Sequence, residues 1–195
     1  MKRLLIALAL TAMAATARAE LILGLQYGEQ SLDYQQTVNG VEISGGSLET
    51  DGYLGLMVGA GTPGGNSRFM FDYVAYDLGN DNSMRLFNVG YVRLVPIWRG
   101  AENRLRAFGG LELGYGSLDM ASQPFYNSGS DSGLQYGVRT GLSMGFGPKV
   151  ELELGVRASQ VGLEATQQGL IGAAGVATTE IDRMTAWWTG VNFSF

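Results

Sequence analysis

Long stretches of this chain alternate apolar and polar residues one for one. That period of two belongs to a strand with unlike environments on its two faces. The pattern is plainest over Val150–Gln160, where Val150, Leu152, Leu154, Val156 and Ala158 share one face and Glu151, Glu153, Gly155, Arg157 and Ser159 the other. Over Gly133–Gly145 the apolar face is Leu134, Tyr136, Val138, Leu142 and Met144, against Gln135, Gly137, Arg139, Gly141 and Ser143. Arg104–Leu118 sets Leu105, Ala107, Leu111, Leu113 and Tyr115 against Arg106, Gly110, Glu112, Gly114 and Gly116. With Leu21–Tyr34, Ser47–Ala60, Ser67–Leu78, Ser83–Trp98 and Ile181–Phe195, the chain predicts eight strands. In Ser83–Trp98 the residues Phe87, Val89 and Tyr91 share a parity with Arg85 and Arg93. A bulge is expected there, and the facing of that strand stays open.

Alternation does not say which face is outside; composition does. Gly accounts for 30 of 195 residues, against an average near ~7%. Charged residues are 16%, below the usual ~25%, and Lys occurs only at positions 2 and 149. The polar faces are therefore mostly Gly with a few charges, a poor solvated surface but a good lining for a narrow lumen. The apolar faces, rich in Leu, Val and Tyr, suit lipid. Each segment reaches the ~9–11 residues of a tilted spanning strand. Short connections (Gly61–Asn66, Arg99–Asn103, Phe146–Lys149) alternate with longer ones (Gln35–Gly46, Asp119–Ser132, Val161–Glu180), apart from the brief Gly79–Asn82. Phe69, Trp98, Phe146 and Phe195 fall towards the short turns, and Trp187, Tyr136 and Tyr115 further along, like two interfacial belts. The expected fold is all-β: an eight-stranded antiparallel up-and-down transmembrane β-barrel with both termini at the short-turn end.

Residues 1–19 read as a cleaved signal peptide. Lys2 and Arg3 precede the apolar Leu4–Ala15, and Ala17-Arg18-Ala19 before Glu20 makes an A-x-A cleavage site. The barrel domain is then 20–195. With Lys2, Arg3 and Arg18 in the leader, 10 basic residues remain against 18 acidic ones, a net charge of −8. That balance excludes nucleic acid as a partner. The chain has no Cys, hence no disulfide and no lipid-modified cysteine.

The final residues, Trp188-Thr189-Gly190-Val191-Asn192-Phe193-Ser194-Phe195, resemble the C-terminal assembly signal of outer-membrane barrels. Gly190, Phe193 and Phe195 match the pattern, and Trp188 stands where a polar residue is usual. Leu105–Ser159, with its "GG-L-E-L-GYG" strand and the stretch "SGLQYGVRTGLSMGFGPKVELELGVRAS", is similar to the generic outer-membrane β-barrel domain family. Relatives of the OmpA transmembrane domain and of OmpX belong to that family. The resemblance implies an exported Gram-negative outer-membrane protein, recognition by the barrel-assembly machinery, and no particular ligand. The chain stops at the signal, so no peptidoglycan-binding domain is expected.

The chain has no His. Barrel enzymes of the outer membrane resemble one another in using one, because a Ser nucleophile or a water needs a base with a pKa near ~7. Neither a catalytic site nor a Cys/His metal site is expected, and no cofactor. Glu151 and Glu153 share a face with Arg157, and paired carboxylates in a lumen read as partners for Arg rather than as acid–base machinery. The lumenal charges are Arg68, Asp72, Arg106, Glu112, Arg139, Glu151, Glu153 and Arg157. Buried ions must pair, since a stranded one costs several kcal/mol. With Leu118 opposite Gly133, Glu112 would face Arg139 directly. The loops carry Glu42, Asp81, Asp119, Asp131, Glu164 and Glu180, which disfavours capture of polyanions. The expectation is a monomeric, non-enzymatic barrel with a salt-bridged, largely plugged lumen, meeting outer-membrane lipid and lipopolysaccharide. It would act as a structural or surface-interaction protein through its outer loops, whose ligand the residues do not name. The alternative is a small solute pore.

Overall fold

The structure, a computed structural model, describes residues 20–62, 65–169 and 175–195. The expected signal peptide lies outside them. Eight strands follow one another: β1 Glu20–Val38, β2 Val41–Gly61, β3 Ser67–Gly79, β4 Asn82–Arg99, β5 Asn103–Met120, β6 Gly129–Phe146, β7 Val150–Gln168 and β8 Val176–Ser194. Each pairs antiparallel with the next, and β8 pairs back onto β1, closing an up-and-down barrel. Closure leaves no edge strand within the hydrocarbon region, where every backbone group must find a partner in the protein.

The strands run further than their expected limits. The segments 35–46 and 161–180 are largely strand rather than loop. β7 has 19 residues, well beyond the ~9–11 that cross a bilayer. A change of polarity partway up accounts for the extra length. Up to Arg157, β7 turns Glu151, Glu153 and Arg157 inward and Leu152, Leu154 and Val156 outward; beyond it Val161, Leu163 and Ala165 point in and Gln160, Glu164 and Thr166 out. The lower part is built for lipid and the upper part for water. Leu32, Met84, Leu86, Leu118, Met120, Val161, Leu163, Ile181 and Met184 form the apolar core of that upper part. At the end of the β1–β2 hairpin, Asn39 and Gly40 both take positive φ, 52° and 77°, the geometry of a two-residue primed turn. Asn80 and Asp81 (φ 53° and 62°) do the same between β3 and β4.

β4 shows no bulge in its middle. From Asn82 to Arg93 it alternates without a break, with Phe87, Val89, Tyr91, Arg85 and Arg93 all on the outer face. Its irregularity lies at Pro96/Trp98, where Pro96 has no N–H for the ladder. Arg85 and Arg93 bracket the apolar outer stretch, eight residues apart along the strand. At ~3.3 Å per residue and a tilt near ~40° this is about 20 Å of height, close to the ~25 Å lipid-facing band of such barrels. The outward parity is therefore compatible with charge.

Pairing around the ring is uneven. β1 and β2 stay paired from Glu20↔Gly61 to Val38↔Val41. β2 and β3 pair only between Gly55↔Val74 and Gly61↔Arg68. Where those two part, the rings of Tyr53 and Tyr76 meet edge to face with centroids 4.9 Å apart.

Candidate functional site

The eight charges expected in the lumen all point inward, each between 1% and 8% exposed. They come from β3 (Arg68, Asp72), β5 (Arg106, Glu112), β6 (Arg139) and β7 (Glu151, Glu153, Arg157). β3 and β7 stand diametrically opposite in an eight-stranded ring, so contacts between them cross the full width of the interior.

Two layers of ion pairs do so. Nearer the short turns, Arg68 grips Glu151 with both terminal nitrogens, at 2.5 and 2.7 Å. Arg106 also donates to Glu151, and Arg104 approaches it at 3.8 Å. Such a two-pronged match is the strongest form of the contact. Above it, Asp72 accepts from Arg139 at 3.1 Å, from Arg157 at 3.2 Å and from Asn88 at 2.9 Å. Glu112 approaches the Arg139 Nε at 3.7 Å and accepts from Ser159 at 2.9 Å.

The β5–β6 register differs by two residues from the expected one. Glu112 lies opposite Gly137, and Arg139 opposite Gly110. A shift of two keeps every side chain on its face, so Glu112 and Arg139 meet diagonally. Asp72 on β3 lies nearer to Arg139 than Glu112 does.

Trp188 is a lumenal residue that the strand pattern did not single out, as are Asn88 and Asn192. Adjacent residues of a strand face opposite ways, so the Trp187-Trp188 pair already required one indole inside. Trp188 is fully buried. It donates to Glu153 at 3.1 Å, beside Asn192 donating to the same carboxylate at 3.2 Å. The guanidinium carbons of Arg139 and Arg157 lie 4.9 and 5.2 Å from its ring centroid, within cation–π range. Gly155 makes this possible, because a Cβ there would fall 2.3 Å from the indole. Trp188 thus links the two charged layers.

On the outer wall Phe69, Trp98, Phe146, Tyr115, Tyr136 and Trp187 are exposed, as are Phe193 and Phe195. Phe193 lies opposite Leu23 of β1 and Val150 of β7, and the Phe195 amide donates to the Leu21 carbonyl at 2.9 Å. Gly190 faces inward beside Gln26. Glu20, the residue after the expected cleavage point, opens β1 opposite Gly61; Ala17 and Ala19 lie outside the described residues. At the water-exposed end, Arg85 lies 3.9 Å from Asp119 and Asp131 accepts the Glu164 amide at 2.7 Å. Asp182, then partial burial and Glu164, holds the Glu180 carboxyl above its usual range. Among the described residues no group of three acidic side chains is placed to hold a metal.

A closed ring of antiparallel strands, apolar outside and charged within, defines a membrane-spanning barrel. The family profile of the outer membrane protein β-barrel domain matches residues 4–195. The chain belongs to that family, and an outer-membrane location goes with it. Solved structures share the fold. Neisserial surface protein A aligns with a TM-score of 0.51 at 17% identity, covering 89% of this chain and 97% of that one. OprG from Pseudomonas aeruginosa aligns at 0.54 and 13%, covering 92% and 98%. The N-terminal barrel domain of Pseudomonas aeruginosa OprF aligns at 0.51 and 11%, covering 91% and 100%. A search of curated proteins finds no match to the chain by sequence.

Proposed function

We propose that this barrel is a non-enzymatic protein of the Gram-negative outer membrane whose own side chains close its lumen. Its work as a structural or surface-interaction protein is done by the extension beyond the bilayer. The observation that carries this reading is the pair of ion-pair layers bridging β3 to β7 across the full diameter. Among the described residues four buried Arg face four buried carboxylates, so these charges balance one another. A solute would have to break several of these contacts at once.

The absence of His and Cys supports the non-enzymatic part. Ser159 does meet a carboxylate, Glu112, but that carboxylate also faces Arg139 and lies buried in the lumen among the ion pairs. Outside the barrel, Arg85 and Arg93 stand at the two ends of the lipid-facing stretch of β4, suited to lipopolysaccharide and phospholipid phosphates. The barrel-assembly machinery would read Gly190, Phe193 and Phe195, on the strand that closes the ring. A single barrel satisfies its own backbone throughout the membrane band, so the protein works as a monomer.

Planar-bilayer recording tests the reading. The expected trace is near silence for the native protein. Steady conductance from the unmodified protein would overturn the closed-lumen reading in favour of a small solute pore.

A further inference from the structure

The barrel wall is incomplete at its outer end. β2 and β3 separate above Gly55↔Val74, so one edge of Val41–Leu54 has no strand beside it among the described residues. Its other edge is held by β1 to the tip. Leu54 lies opposite Tyr27, whose ring is exposed on the outer wall, and the chain from Leu54 back to Val41 climbs away from the bilayer. An unpaired edge presents a row of N–H and C=O groups ready for another chain, and proteins usually blunt it with Lys or Pro. Val41–Leu54 contains neither, and between its two register shifts against β1 the run Ser44–Thr50 stays regular. Val41, Ile43 and Leu48 are exposed along it. So are Glu42 and Glu49, and the segment has no Arg.

We propose that the Val41–Leu54 edge of β2 takes an added strand from an extended, basic peptide of a partner protein, whose Lys or Arg side chains meet Glu42 and Glu49. The proposal rests on the surface-interaction reading above and gives it a binding surface and a partner class. Main-chain pairing supplies the affinity in such additions, and alternate side chains supply the selectivity. A second copy fits poorly. Copies in one membrane run their β2 strands the same way and would set Glu42 and Glu49 against identical carboxylates, which repel.

The test uses the full barrel in detergent micelles and a synthetic peptide of alternating Lys and Val. The controls are the same peptide with Glu for Lys and one N-methylated at every amide, so that neither of its edges can donate. The basic peptide should bind and slow amide exchange within Val41–Leu54, and both controls should fail. Glu42→Lys with Glu49→Lys should weaken the basic peptide about tenfold, the scale of two exposed ion pairs turned repulsive, and should favour the acidic one. Binding that survives N-methylation, protection elsewhere, or an unpeptided dimer that shields this edge would each overturn the proposal. If the variant fails to fold, the N-methylated peptide on the native protein still decides. Conductance measured on the same preparation separates the failures: no peptide binding by a silent barrel sinks only the edge proposal, whereas a conducting barrel sinks the reading beneath it.

Discussion

Asp72 accepts from two guanidinium groups and one amide in the middle of the lumen, while Glu112 faces Arg139 at a longer distance. Asp72→Asn leaves Arg139 and Arg157 without their nearest carboxylate, and stranding buried charge costs about 3–5 kcal/mol. Denaturant unfolding in detergent should therefore show Asp72→Asn well below Glu112→Gln in stability; equal losses would mean that water reaches both sites. Parity along the strands sufficed to place these charges on the inner face, because facing is a local property. Partner choice was not legible in the same way. Asp72 meets Arg157 across the barrel, from β3 to β7, and that distance depends on the curvature of the whole ring. Trp188 shows the converse: its facing followed from Trp187 beside it, but its place between two arginines depends on the space at Gly155.

The β5–β6 hairpin offers a direct test of register. Leu111 lies opposite Val138, whereas the expected pairing of Leu118 with Gly133 would set it opposite Thr140. Opposed residues of an antiparallel pair sit ~4.5–5.5 Å apart, and the next one along lies ~7–8 Å away. The chain has no native Cys, so engineered pairs report cleanly. Leu111→Cys with Val138→Cys should cross-link on oxidation, and Leu111→Cys with Thr140→Cys should not; the reverse outcome would restore the two-residue shift. The difference arises because the connection folds back at Pro124-Phe125, where Gln123 and Tyr126 exchange both backbone hydrogen bonds, and the Glu112↔Gly137 register runs on from that pair. Elsewhere the signal was present. Asn39-Gly40 is a strong hairpin turn, and it explains why 35–46 continues as strand. The upper parts of the strands alternate as regularly as the lower ones but with the faces exchanged, a pattern that reads as loop when one polarity is assumed throughout.

At the scale of the molecule, the ring closes through β8 on β1, and the last residue takes part: the Phe195 amide bonds to Leu21. Removing Phe195, or changing it to Asp, should block insertion and leave periplasmic aggregate. Heat-modifiable protein in outer-membrane fractions of such a variant would show that the terminal Phe is dispensable. The exchange of faces partway up the strands has a mechanical consequence. Sinking the barrel would carry Glu29, Arg85, Gln160 and Arg183, all exposed on the outer wall, into hydrocarbon; lifting it would carry Arg93 in and strip lipid from Leu and Val. A misplaced Arg costs about 2–4 kcal/mol at the midplane and little near the interface, so the penalty rises steeply in both directions. The barrel therefore floats at one depth. A pull on its outer extension is resisted by eight strands together rather than by a single anchor.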